Sequence, residues 1–304
     1  MPRSRLARFA WAVVALNLAV ILWGAWVRVS GSGAGCGSHW PLCDGEVIPR
    51  APTVEKAIEF THRATSGLAL LAVGALAVAS FRGRPRPHPA RRAAAAAVVF
   101  VLLEAALGAG LVLFDLVADD ASLARAVVMP LHLVNTFLLL GALALTARWA
   151  DSGGPAPALL RARSSGGLWI ALLFLLAFAG ASGAVAALGD TLFPSVSLGA
   201  ALAQDLDPTA HALVRLRLAH PALAAIAAAA VIVLAARASE RQPGFGWRRA
   251  AAALALGQLV LGVANVTLLA PVALQLAHLL VADLLWITVV VAAFAPLTAA
   301  RVRD

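Results

Sequence analysis

The chain is predicted to be an all-α polytopic membrane protein, with eight transmembrane helices arranged as two pseudo-symmetric four-helix bundles. Three observations carry that prediction. Of 304 residues, 62% are hydrophobic and 13% charged, with mean hydropathy +0.88. A soluble domain is roughly half apolar and a quarter charged, so no soluble fold of this length could hide so much apolar surface. Apolar runs of spanning length, about 20 residues, recur eight times. Motifs in the first four runs return in the last four.

In chain order the runs cover residues 9–29, 57–80, 93–117, 126–147, 168–193, 215–236, 250–270 and 272–295. The first follows a basic stretch, but no small-residue cleavage site comes after it, so it reads as a retained helix and not a signal peptide. Orientation follows the arginines. Arg3, Arg5 and Arg8 precede span one; Arg82, Arg84, Arg86, Arg91 and Arg92 follow span two. Arg148, Arg161 and Arg163 follow span four; Arg237, Arg241, Arg248 and Arg249 follow span six; Arg301 and Arg303 close the chain. These 17 of the 24 basic residues fall on one side, while Asp44, Glu46, Glu55, Asp119, Asp120, Asp190, Asp205 and Asp207 fall on the other. Both termini are therefore expected in the cytoplasm of a bacterial inner membrane. The net charge of +9 is spent on topology, which argues against a nucleic-acid partner.

Both cysteines, Cys36 and Cys43, lie in the first outer loop, SGSGAGCGSHWPLCDG. That side of the membrane is oxidising, so a disulfide persists there. A redox-active thiol pair is the alternative. The spacing is not the Cys-x-x-Cys-His of cytochrome c attachment, and Cys36, Cys43 and His39 are too few for zinc.

Ionisable residues within a bilayer are costly and usually functional. Four of the seven histidines, His62, His132, His220 and His278, fall in spans two, four, six and eight, all in the outer half. His39, His88 and His211 fall in loops and read as solvated. An internal repeat pairs the four. Glu104-x-x-Leu-Gly108 in span three matches Gln258-x-x-Leu-Gly262 in span seven, and each precedes a helix bearing its histidine. Gly24 precedes His62 by 38 residues and Gly183 precedes His220 by 37. The halves are residues 1–150 and 151–304, in parallel orientation, pairing His62 with His132 and His220 with His278. Two histidines on facing helices suit the two axial positions of a haem iron. Imidazole also suits zinc or copper, though no further ligands stand at that level. Gly108, Gly110, Gly262 and Ala264 either admit a macrocycle or serve ordinary helix packing.

The halves differ chemically. Glu59, three residues before His62, shares its helix face and is placed to move protons or stabilise a developing cation. Arg217 holds the equivalent place before His220. Arg28, Arg63, Arg215 and Arg217 are candidate contacts for haem propionates; interfacial snorkelling is the alternative for Arg215 or Arg217. Glu104 reads as an interhelical hydrogen-bonding residue; Asp283 has no evident role.

GAWVRVSGSGAGCGSHWPLCDG, then EFTHR, then a histidine in each later even-numbered span, resembles the haem A synthase family. The resemblance runs from about residue 23 to span eight and is most specific in the first outer loop with EFTHR. It implies two four-helix repeats and oxidation of the C8 methyl of haem O to a formyl group, making haem A for cytochrome c oxidase. It implies that His62 and His132 flank substrate haem O, that His220 and His278 ligate the iron of haem b, and that Glu59 is the catalytic carboxylate. Cys36 and Cys43 match the family's first-loop cysteine pair. A second pair found in some members is absent from residues 193–214, which excludes any mechanism using four cysteines. His39 stands where aspartate is common, and Pro221, not Arg, follows His220. The implied partners are an unidentified electron-transfer protein, haem O synthase and cytochrome oxidase assembly factors; the sequence leaves homo-oligomerisation open. The rival readings are a dihaem b-type electron-transfer protein, which leaves Glu59 unexplained, and a repeat-built transporter.

Overall fold

The computed structural model describes residues 4–151, 166–237 and 245–294. Arg3, Arg161, Arg163, Arg241, Arg301, Arg303 and position 295 lie outside the described residues. Among those described, the regular structure is helical. It comprises α1 (Arg5–Val29), α2 (Val54–Gly83), α3 (Pro89–Leu113), α4 (Leu123–Trp149), α5 (Gly166–Leu192), α6 (Leu198–Leu206), α7 (Ala212–Leu216), α8 (Ala219–Ala236), α9 (Phe245–Thr267) and α10 (Val272–Phe294).

Polar caps explain where the apolar runs start. The side chains of Ser4, Thr53 and Ser122 accept from the backbone N–H groups of Ala7, Lys56 and Arg125, satisfying donors at the starts of α1, α2 and α4. His88 caps α3, with Pro89 at its first position, where a missing N–H costs nothing. Among the described residues eight helical segments are long and apolar enough to cross a membrane, as expected. The sixth, Ala212–Ala236, is broken: α7 and α8 meet at Arg217 and Leu218. Pro221 sits in the first turn of α8, where it is tolerated. Asp190 lies near the end of α5, within the expected fifth span, and α6 is an unforeseen helix in the loop that follows.

Packing is unequal. About half of the apolar windows of α4 and α10 is buried, 44% and 50%, against 11–28% for the other spans, so these two form the centre of the molecule. Their seam is closed by Phe137 stacked on Trp286 at 5.0 Å, and the Trp286 indole N–H donates to the Phe137 carbonyl. Leu140, Leu143, Val289 and Val291 are fully buried around it. The outward faces carry large exposed apolar residues such as Leu71, Phe174 and Val260, as lipid-facing helices do. His132 and His278 therefore sit on the two central helices, and His62 and His220 on flanking ones.

Candidate functional site

The site is built twice, from the same parts. In each half the opening helix brings a glycine against the histidine of the next helix. A Cβ at Gly24 would lie 2.9 Å from His62 Cε1, and one at Gly183 2.8 Å from His220 Cε1. Real side chains do not approach so closely, so any larger residue at either position would push the imidazole aside. In the third and fourth spans of each half, Gly108 faces His132 Nε2 and Gly262 faces His278 Cε1 at ordinary contact distance.

The second pair has a defined separation. The His220 and His278 rings lie 6.3 Å apart between centroids and perpendicular. That leaves room for one metal ion bonded to a nitrogen of each ring, such bonds being about 2.0–2.1 Å. His220 Nδ1 bonds Ala179 O and Ser182 Oγ, both at 3.1 Å, which frees its Nε2. His278 Nε2 meets Gln258 Nε2 at 3.1 Å, and its buried Nδ1 has no partner. In the first pair His132 Nδ1 bonds Glu104 Oε1 at 2.8 Å, which frees its Nε2. His62 Nδ1 is buried without a partner, and its ring lies within electrostatic reach of His132 and Glu104. Among the described residues no group of three or more His, Cys, Asp or Glu is placed to hold a metal ion. Two imidazoles per site, each with a nitrogen to spare and a glycine wall, fit a flat group ligated from both faces.

The first loop folds back onto α2. Cys36 and Cys43 are joined by a disulfide. The Cys36 N–H donates to Glu59 Oε2 at 2.7 Å, while Arg63 Nε donates to Glu59 Oε1 at 3.0 Å. Arg63 also donates to the carbonyls of His39, at 2.6 Å, and Leu42. Glu59 is thus buried with both oxygens engaged, one turn from His62. Lys56 pairs with Asp44 across the base of the loop; its hydrogen bond holds the Asp44 carboxyl below the usual carboxylate range.

The second half replaces this arrangement with ion pairs. Arg217, buried, bonds Asp190 at 3.1 Å and Asp205 at 2.8 Å. Arg215 donates to the Pro208 carbonyl, at 3.4 Å, in an exposed position. Arg28 leaves its own half: it donates to Ala187 O at 2.8 Å and Thr191 Oγ1 at 2.5 Å of α5, and to Gln275 Oε1 at 3.1 Å of α10. Sequence reasoning did not foresee that crossing, nor Ser182 behind His220, because neither lies in a motif. Glu104 reads in the sequence only as an interhelical hydrogen-bonding residue; its partners are His132, Asn135 and Thr136 of α4. Asp283 is fully buried with both oxygens unpartnered.

Fold and site together define an eight-span helical membrane protein that carries two histidine pairs in repeated settings. The chain belongs to the cytochrome oxidase assembly protein family COX15-CtaA, whose model matches residues 7–290. Over 290 residues it is 51% identical to a protohaem IX farnesyltransferase of Thermus thermophilus; the match covers 93% of this chain but 47% of that protein. The chain thus spans about half the length of that relative. It is 43% identical over 97 residues to the haem A synthase of Alkalihalophilus pseudofirmus, covering 32% of this chain and 33% of that one. To the haem A synthase of an Exiguobacterium species it is 38% identical over 121 residues, 40% of each chain.

Proposed function

We propose that this chain is a haem A synthase, which oxidises the C8 methyl group of haem O to a formyl group by successive hydroxylations. Each step turns a C–H bond into C–OH, so it needs an oxygen atom from water or dioxygen and a two-electron oxidant: the first gives a hydroxymethyl group, and the second a hydrated aldehyde that loses water. The observation that carries the reading is the duplicated histidine pair, glycine-walled in each half, with a carboxylate and a disulfide loop beside only one of them. Membership of a cytochrome oxidase assembly family supports it, as do the relatives named haem A synthase.

In this reading residues 1–150 take the substrate and residues 151–304 serve it. His62 and His132 flank haem O, and His220 and His278 hold haem b. When bound, haem b supplies one-electron exchange. Glu59 is the catalytic carboxylate, fixed one turn from His62 by Arg63 and the Cys36 N–H. The disulfide keeps that loop over the mouth of the first site. Of the four arginines proposed for propionates, Arg28 is best suited, because its three hydrogen-bond acceptors are all uncharged; Arg63 and Arg217 already hold carboxylates. The arginine distribution supports an inner-membrane position with both termini cytoplasmic. The Thermus relative is about twice as long and is named for farnesyl transfer to protohaem. That supports haem O synthase as a neighbour, handing over a substrate too apolar to cross water. An electron-transfer partner and cytochrome oxidase assembly factors complete the setting.

The test is haem extraction and chromatography from a host that makes haem O but no haem A, with and without the gene. Haem A should appear, and should vanish with His62→Ala. Glu59→Gln should retain bound haem and lose product. Haem b on the purified protein with haem O unchanged in the cells would favour an electron-transfer cytochrome, provided a known haem A synthase works in the same host.

A further inference from the structure

The two histidine pairs sit in matched settings, but the groups behind them do not match. Glu104 of α3 and Gln258 of α9 hold equivalent places, each four residues before the glycine that faces a histidine. Glu104 Oε1 accepts from His132 Nδ1 at 2.8 Å and from Thr136 Oγ1 at 2.5 Å, and Oε2 accepts from Asn135 Nδ2 at 2.5 Å. Three donor groups meet this side chain, the Thr136 hydroxyl sharing its one proton with the His132 carbonyl at 3.0 Å, an arrangement that suits a carboxylate. In α10 the places three and four residues after His278 are Val281 and Ala282, where α4 has Asn135 and Thr136. There the polar group that meets the imidazole is the Gln258 amide, at His278 Nε2 and not at Nδ1, and it carries no charge.

An imidazole that donates its second N–H to a carboxylate is fixed in tautomer and orientation and becomes a more basic ligand. Hydrogen bonding and charge close to a haem ligand are among the protein's main levers on reduction potential. A more donating ligand backed by negative charge favours the ferric state. We propose that Glu104 is a positioning residue which, acting through His132, sets the reduction potential of an iron in the first site below that of an iron in the second. This rests on the assignment of both histidine pairs to haem iron made above.

The full-length chain, purified in detergent and loaded with iron-protoporphyrin IX at both sites, is titrated by spectroelectrochemistry. His132→Ala and His278→Ala assign the two midpoints. Glu104→Gln should raise the first midpoint by at least the equivalent of a tenfold change in the ferric-to-ferrous ratio, about 59 mV for one electron, and leave the second where it was. Gln258→Glu should lower the second. Glu104→Asp, which keeps the charge, should hold the first midpoint nearer its original value than Glu104→Gln does. A merely structural Glu104 would change haem retention without moving the midpoint. If Glu104→Gln does not fold, Gln258→Glu and Glu104→Asp carry the test. Unchanged midpoints in these variants overturn the proposal alone, with haem A formation in cells still deciding the function. Absence of any His132-dependent haem overturns both.

Discussion

Gly24 and Gly183 are the residues on which the site geometry depends most directly. Each stands where a single methyl group would overlap the imidazole it faces. Gly24→Ala is expected to displace His62 and weaken haem retention in the first half about tenfold or more, in line with the 10–100-fold losses seen when support around a metal ligand is disturbed. Gly183→Ala should do the same for His220. Haem content per protein, read from the pyridine haemochrome of the purified variants, checks both. Asp283 presents the opposite case: it is fully buried and both carboxyl oxygens lack a partner. Such a group destabilises by about 1–3 kcal/mol. Asp283→Leu, of similar size, should therefore raise the thermal unfolding midpoint in detergent.

Among the elements, the first loop is the one whose form depends on a covalent bond. The bridge closes eight residues from Cys36 to Cys43, and chain-entropy reasoning gives such a loop about 2.5 kcal/mol. The same loop supplies the Cys36 N–H to Glu59 and the carbonyls to Arg63. Reduction, or Cys43→Ser, should therefore speed backbone hydrogen exchange across residues 32–46 and at the start of α2, while α8–α10 stay protected. Mass-resolved exchange would measure this. The spans were legible in the sequence because a bilayer permits few ways to satisfy backbone groups, so apolar length alone marks them. The loops were less so. α6 is too short for its periodicity to stand out, and the pairing of Asp190 with Arg217, 27 residues further on, lies in no motif.

On the scale of the whole molecule, the repeat put a histidine on every second span, and the His220 and His278 rings do stand beside each other. How the halves grip each other was not legible. Arg28 looks like an interfacial arginine at the end of α1, yet its three acceptors belong to α5 and α10. Hydrogen bonds to a charged group contribute about 1.5–3 kcal/mol each and do not simply add. Arg28→Ala should lower stability by several kcal/mol and separate the unfolding of the halves, resolved as two transitions by calorimetry where the parent shows one. Arg28→Lys should recover only part of the loss, since one ammonium cannot fork to acceptors on two helices.

The seam between α4 and α10 also has a stoichiometric consequence. Each of these helices shows the other an apolar wall, with Phe137 and Gly141 of α4 against Trp286 and Val290 of α10. A half produced alone would offer that wall to lipid, and the nearest surface of matching shape would be the wall of another identical half. Residues 1–150 expressed by themselves should therefore assemble in twos, holding two copies of one kind of site where the whole chain holds one of each; crosslinking at Gly141 would count them.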